Sequence, residues 1–448
     1  MSMVLSPPEE TTIRPAASWS DAPPVYDANT SLPDWYSDLR SAAWARFAAL
    51  PVPARTNQHW RFADLKHLAI EGRAPTAPVS DLVAAELIAR AVSERPADYA
   101  AHFVFANNRL IHTETPALPA GVVCVTVGEA LASHSELLRE HFLKQADFLG
   151  GEKFAALHAA ATLSGLFVHF PKGAVAEYPV IVHHFVGGEG AAIFPHSLIV
   201  AEDHASVTVL DLFESVGGNE ETLTVGMADL HAARGGRVQY VAVQDLSAKG
   251  ARHVHLQHSR VGRDASVKVG FLNLGAEWVR NESINRMVEN GADGQIFSAN
   301  LANESQEFDQ RTLQSHEAQH TTSDLFFKNA LYDRARTIFS GLIQVLPGSH
   351  HTDSYQTCRN LMGSDEAEAN SMPGLEIDAD QVKCSHGSTS GTISDEEIFY
   401  LRARGIPAED ARKMISLGFL NESIDRLDGD GLKAVLFSRV ERKFASIG

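Results

Sequence analysis

One short pattern, a small residue, any residue, then a β-branched residue, recurs as Ala205-Ser-Val207, Gly236-Arg-Val238, Ala265-Ser-Val267 and Gly294-Gln-Ile296. The β-branched members stand 31, 29 and 29 residues apart. A nearly constant period of this length means stacked structural units. A unit of about 30 residues cannot bury its own apolar face, so neighbours have to stack and close a shared core. Each period predicts two or three short strands, separated by turn-forming steps such as Glu202-Asp203-His204, Gly262-Arg263-Asp264 and Gly291-Ala-Asp293. No helical apolar spacing lies between the strands, which favours a parallel β-helix over an α/β solenoid. A propeller would need a longer, evenly repeated blade of four strands.

The repeat sits inside a chain of four parts. Residues 1–30 are rich in Pro, Ser and Ala and are expected to be poorly ordered. Residues 31–164 read as a helical and mixed region. Apolar positions spaced for helices run from Pro33 to Leu50, from Asp81 to Arg95, from Ser133 to Leu149 and from Phe154 to Thr162, with strands at Ala101 to Ala106 and Val122 to Val127. Residues 165–391 form the β-helix core, so the fold class is mostly β. Residues 392–448 hold three helical segments, Ser394 to Arg404, Pro407 to Leu420 and Gly431 to Phe444, a cap apolar enough to fold back on the solenoid or to dock another protein.

Charge and cysteine count limit the partners and the chemistry. The 38 basic and 56 acidic residues leave a formal charge of −18, with no dense Lys/Arg block, so nucleic acid and anionic membrane are poor electrostatic partners. Three scattered cysteines, Cys124, Cys358 and Cys384, argue against a disulfide framework and for a reducing compartment. They also fall short of a four-thiolate cluster site. Any metal cluster held here therefore uses His or carboxylate ligands, or is shared with another chain. The first residues, Met-Ser-Met-Val-Leu-Ser-Pro-Pro-Glu-Glu, lack the basic start and apolar run of a signal peptide, and a cytoplasmic protein is expected.

Between sheet and cap lies the run Leu375-Glu-Ile377 to Val382-Lys-Cys384-Ser-His386-Gly387, then Gly391 and Ser394-Asp-Glu-Glu397. Its first half alternates like a half-buried strand, Gly387 and Gly391 read as a turn, and Ser394 with Glu397 reads as a capping box. On a strand, Cys384 and His386 share a face about 7 Å apart, which suits a soft metal. The plainer reading puts Cys384 in the core with His386 merely ending the strand.

The whole sentence Asp-Gln-Val-Lys-Cys-Ser-His-Gly-Ser-Thr-Ser-Gly-Thr-Ile-Ser-Asp-Glu-Glu-Ile-Phe-Tyr-Leu-Arg-Ala-Arg-Gly-Ile, residues 380–406, resembles the C-terminal signature of the SufB/SufD family of iron-sulfur cluster assembly proteins, and within it the SufD branch. SufB-like members tend to read Glu-His-Glu-Ala where this chain has Cys384-Ser-His-Gly387. His59-Trp60-Arg61-Phe62 and Lys153-Phe-Ala-Ala-Leu also resemble the family. Met372 departs from it, since many relatives carry Lys there. The resemblance implies a right-handed parallel β-helix and a non-catalytic scaffold subunit of the SUF complex. Its implied partners are a SufB-type paralogue, met through the β-helix near residues 370–391, and a SufC-type ABC ATPase, engaged by the C-terminal helices. It marks His386, with Cys384 two residues before it, as metal-site residues for a transient iron-sulfur cluster shared with the partner subunit. Two rivals stand beside it: a secreted-type β-helix carbohydrate-active enzyme, and a purely structural homo-oligomer joined near residues 370–391.

Other motifs carry less. His253, His255 and His258 include a same-face pair, but no carboxylate or Cys is spaced to complete a metal site, and polar residues of a solenoid often line an outer face. His316-Glu317-Ala-Gln-His320 spells the zinc-protease pattern, which works only on a helix. Its neighbours lack helical spacing. No Gly-x-x-x-x-Gly-Lys-Ser/Thr loop is present, so this chain is expected to bind no nucleotide itself.

Overall fold

The computed structural model describes residues 32–68, 73–76, 78–145 and 148–447; the segment 1–30 lies outside them. The N-terminal part holds α1 (Asp34–Ala49), two single 3₁₀ turns (Gln58–Trp60 and Leu65–Leu68), α2 (Asp81–Ser93), the hairpin β1 (Ala101–Ala106) and β2 (Arg109–Glu114), β3 (Val123–Thr126), α3 (Val127–Ser133), α4 (Ser135–His141) and α5 (Glu152–Ala161). Of the helix expected over 133–149 the described residues form the shorter α4, and α3 lies before it. His134 caps both, and Phe142 turns extended to end the second.

From Ser164 the chain winds through eight coils between two sheets. The first coils carry β4 (Ser164–Phe170) and β5 (Val180–Val186), then β6 (Ala192–Ile193) with β7 (Pro195–Ala201) and β8 (Ser206–Ser215). Next come β9 (Leu223–Ala232) and β10 (Arg237–Asp245), β11 (Arg252–Val261) and β12 (Ser266–Asn273), and β13 (Trp278–Met287) and β14 (Asp293–Ala302). The last are β15 (Glu307–His316) and β16 (Thr322–Leu331), β17 (Arg336–Val345) and β18 (Asp353–Met362), and β19 (Glu368–Ile377) and β20 (Lys383–Thr392). From β7 onward, odd and even strands fall into separate sheets, both parallel; β4 and β6 join the odd-strand sheet and β5 the even-strand one. Each coil thus holds two long strands, which settles the count that the sequence left at two or three.

Pairing follows the repeat with one correction. Val207 pairs Val238, which pairs Val267, but Val267 pairs Gly294, and Ile296 lies beside Val269. The register is two residues shorter here than the sequence spacing. A slip of two keeps every side chain on its own face, so the β-branched pattern survives it. At one corner His204, Asp264, His320 and His351 adopt left-handed φ between 53° and 63°, and Gly235 and Gly291 take the same role. Each such amide donates to a carbonyl of the next coil, as His320 N–H does to His350 O (3.0 Å). The short polar residues and glycines of the predicted turns fit this conformation.

Inward side chains such as Val207, Val238, Val267 and Phe308 close the bore. One outer face, around Leu223, Val225, Leu256 and Trp278, is covered by α5 and Trp60. Trp60 is fully buried, stacks on Trp278 and donates through Nε1 to Gly150 O (2.9 Å). The other outer face, around Leu210, Val241 and Leu272, is covered by α7 (Ala408–Ile424) and α8 (Asp430–Ala445) through Leu420, Ile424, Leu432, Leu436 and Val440. The cap therefore folds back on the solenoid. Only α6 (Asp395–Arg402) and the start of α7 stand off it, with Ile398 the one buried side chain of α6.

Candidate functional site

The last coil ends both sheets. β20 pairs only β18 and β19 only β17, so one long edge of each is unpaired among the described residues. Strand β20 runs unbroken to Thr392. Gly387 and Gly391 thus lie within a strand and form no turn, and His386 sits in mid-strand instead of ending it. The stretch reads as a turn because of its glycines and serines, yet register with β18 carries it through. Neither glycine has positive φ, and a methyl group at either would meet nothing within 4 Å. What they supply is a flat surface that another backbone can approach.

Cys384 and His386 sit at successive inward positions of β20, in register with Ser354 and Gln356 of β18. With no further coil above them, Cys384 is half-buried and His386 exposed. Partial burial and the nearby Asp353 carboxylate both raise the Cys384 pKa. The thiol therefore holds its proton until a metal or a base takes it. Cys358, one coil below, is fully buried against Asn329 and Ser371, and burial pushes its thiol up to about 11. Cys124 is likewise buried, its thiol pushed up to about 12. Among the described residues no three His, Cys, Asp or Glu side chains converge as a metal site. The rim offers two candidate donors that need others from outside this chain.

The other histidine motifs are held in packing and hydrogen-bond networks. His253 and His255 point into the bore, not to an outer face as expected, and their rings stack 5.8 Å apart. Burial lowers the pKa of both, so both are neutral. His255 Nε2 lies 3.2 Å from Tyr240 OH, which donates to Asp211 Oδ2 (2.9 Å), and Asp211 also pairs with His184 (2.8 Å). This buried network goes unread in the sequence, where its one signal is the shared inward parity of these positions. His258 faces the opposite way, near Asp229 (3.7 Å). His316 closes β15 with Nδ1 2.8 Å from Thr321 Oγ1, His320 occupies the left-handed corner, and Glu317 pairs with Arg286 (2.6 Å). The protease pattern is therefore spread over a strand end and a turn.

On the cap, Phe399, Tyr400 and Met414 are 72%, 59% and 50% exposed. Met414 turns outward while Ala411 and Leu420 turn in. Ser394 caps α6 by accepting from Glu396 N–H (3.2 Å), one residue earlier than the predicted box. Only Ile393 and Ser394 separate α6 from β20, so the rim and the exposed helix are mechanically adjacent.

The class is that of a two-sheet parallel β-solenoid with an uncovered last coil and a helical cap packed back on one outer face. The chain belongs to the SufB/SufD family: the family model for the SUF system FeS cluster assembly SufBD core domain matches residues 184–419. The iron-sulfur cluster assembly protein SufD of Bacillus subtilis is 29% identical over 72% of this chain and 74% of its own length. SufD of Escherichia coli is 30% identical over 66% of this chain and 71% of its own. The chloroplastic SufBD family protein ABCI8 of Arabidopsis thaliana is 23% identical over 88% of this chain and 74% of its own. No helix among the described residues is long and apolar enough to cross a membrane.

Proposed function

We propose that this chain is a non-catalytic, cytoplasmic scaffold subunit of the SUF complex, which helps to build an iron-sulfur cluster at a site it shares with a SufB-type paralogue. The observation that carries the reading is the last coil, where Cys384 and His386 face an uncovered rim and two sheet edges lie free for pairing. The cluster is cargo: His386 as a neutral imidazole and Cys384 as a thiolate supply part of its ligands, and the partner's thiols supply the rest. The exposed Phe399, Tyr400 and Met414 form the surface that engages a SufC-type ATPase, which brings the nucleotide site. Movement of that ATPase pulls on α6 and, through Ile393 and Ser394, on the end of β20, rearranging the rim.

The deciding experiment replaces His386 by Ala in the reconstituted three-protein complex. Cluster yield falls while gel filtration still shows the intact complex; a normal yield removes His386 from the ligand set.

A further inference from the structure

The bore of the solenoid is polar at its middle. At two successive inward positions of β11, β13 and β15 the register places Gln257, Ser283 and Thr312 in one row and Ser259, Asn285 and Gln314 in the next. All six are buried. Ser283 donates to Gln257 Oε1 and Ser259 to Asn285 Oδ1. That leaves Gln257 Nε2, Asn285 Nδ2, Thr312 Oγ1 and both amide atoms of Gln314 without a hydrogen-bond partner among the described residues. Strand spacing confines them to a patch of about 10 by 7 Å.

So many unpaired polar groups would cancel most of a domain's net stability, so something fills their valences. Three amide N–H groups repel a metal cation. The patch itself contains no cationic side chain to hold an anion. An apolar molecule would leave every group unpaired. Water both donates and accepts, and buried polar groups bind it in this way.

We propose that Gln257, Asn285, Thr312 and Gln314 form a binding site for a small cluster of water molecules inside the solenoid. A separate hydrogen-bonded row lies beside it on the way toward the rim. His316 occupies the next inward position after Gln314 on β15; its Nε2 lies 3.0 Å from Ser323 Oγ, and Ser323 Oγ lies 2.6 Å from Ser354 Oγ. Ser354 stands in register with Cys384. This row ends one coil below the thiol. This inference is independent of the role proposed for that thiol.

A high-resolution crystal structure of the full chain tests it. Water density within hydrogen-bond distance of at least two of the five atoms is expected. A dry strip, with the amides of Gln257, Asn285 and Gln314 paired to one another, overturns it. In solution, Gln314→Met exchanges a hydrated amide for a side chain of similar length. A Tm at or below that of the unaltered chain is expected, since displaced water costs what the lost desolvation returns. A rise of several degrees means that the amide was buried dry, and the site does not exist.

Discussion

Single buried charges bind the N-terminal part to the solenoid. Arg280, fully buried, pairs with Glu282 (2.7 Å) and Asp309 (2.5 Å), donates to His59 O and Leu149 O, and lies over the Trp60 ring. Removing it takes a buried cation from Glu282 and leaves Asp309 paired with Arg311 (2.6 Å). Arg280→Met should cost about 3–5 kcal/mol in urea unfolding, well beyond the effect of an exposed arginine. Glu307 behaves differently. Burial raises its pKa from 4.5 to about 7, against the pull of the Asp64 N–H and Arg336. A carboxyl whose folded pKa exceeds its unfolded one favours folding most at low pH. Its contribution is present below about 4.5 and is lost as pH rises through about 7, a change on the order of 3 kcal/mol. Glu307→Gln should flatten that part of the stability profile, measured as urea midpoint against pH from 4 to 8; an unchanged slope assigns the titration elsewhere.

At the scale of elements, strand identity and stacking were legible because the period-2 pattern and the turn residues agree. Ala205-Ser-Val207 and its repeats opened strands where expected, and Asp264, Gly291 and His204 took the corners. The register was not legible between Val267 and Ile296, since a slip of two leaves the pattern intact. The end of β20 was hidden for another reason. Gly387-Ser-Thr-Ser-Gly391 has the composition of a loop, and only pairing with β18 makes it a strand. Cys384 and His386 were placed on one face by spacing alone, but that this face lies uncovered depends on where the last coil stops. The cap shows the same division. Helical spacing sets Leu432, Leu436 and Val440 along one face of the predicted segment Gly431 to Phe444, and they join Leu210 and Val241 in one buried cluster. Which apolar residues stay outside depends on how far α6 stands off. Leu436→Ala should therefore destabilise the chain by about 2–5 kcal/mol in thermal or urea unfolding. The pair Phe399→Ala and Tyr400→Ala should leave Tm nearly unchanged while abolishing co-purification of the SufC-type ATPase. Retained co-purification moves the docking surface off α6.

For the molecule as a whole, two sheets that wind through eight coils stop on two open edges. Natural sheets blunt such edges with lysines, prolines, bulges or covering elements. β20 carries a lysine only at its first position, Lys383, and its central run Gly387-Ser-Thr-Ser-Gly391 is small and flat. β19 has one proline, Pro373, tolerated because its far side needs no ladder bond to a further coil of this chain. An edge left this open in a chain of net charge −18 favours pairing with a matched strand over indiscriminate self-association, because like-charged copies repel. Since a side chain at Gly387 or Gly391 meets nothing within 4 Å, the double change Gly387→Lys and Gly391→Lys should fold with Tm within a few degrees of the unaltered chain. It should also place two long charged side chains where a partner backbone must come close. Gel filtration should then show loss of the complex with the SufB-type paralogue, and of any homodimer formed by the isolated chain, while binding of the SufC-type ATPase to the cap persists. If the paralogue still binds with undiminished affinity, the two edges are not the interface, and Cys384 and His386 face no shared site.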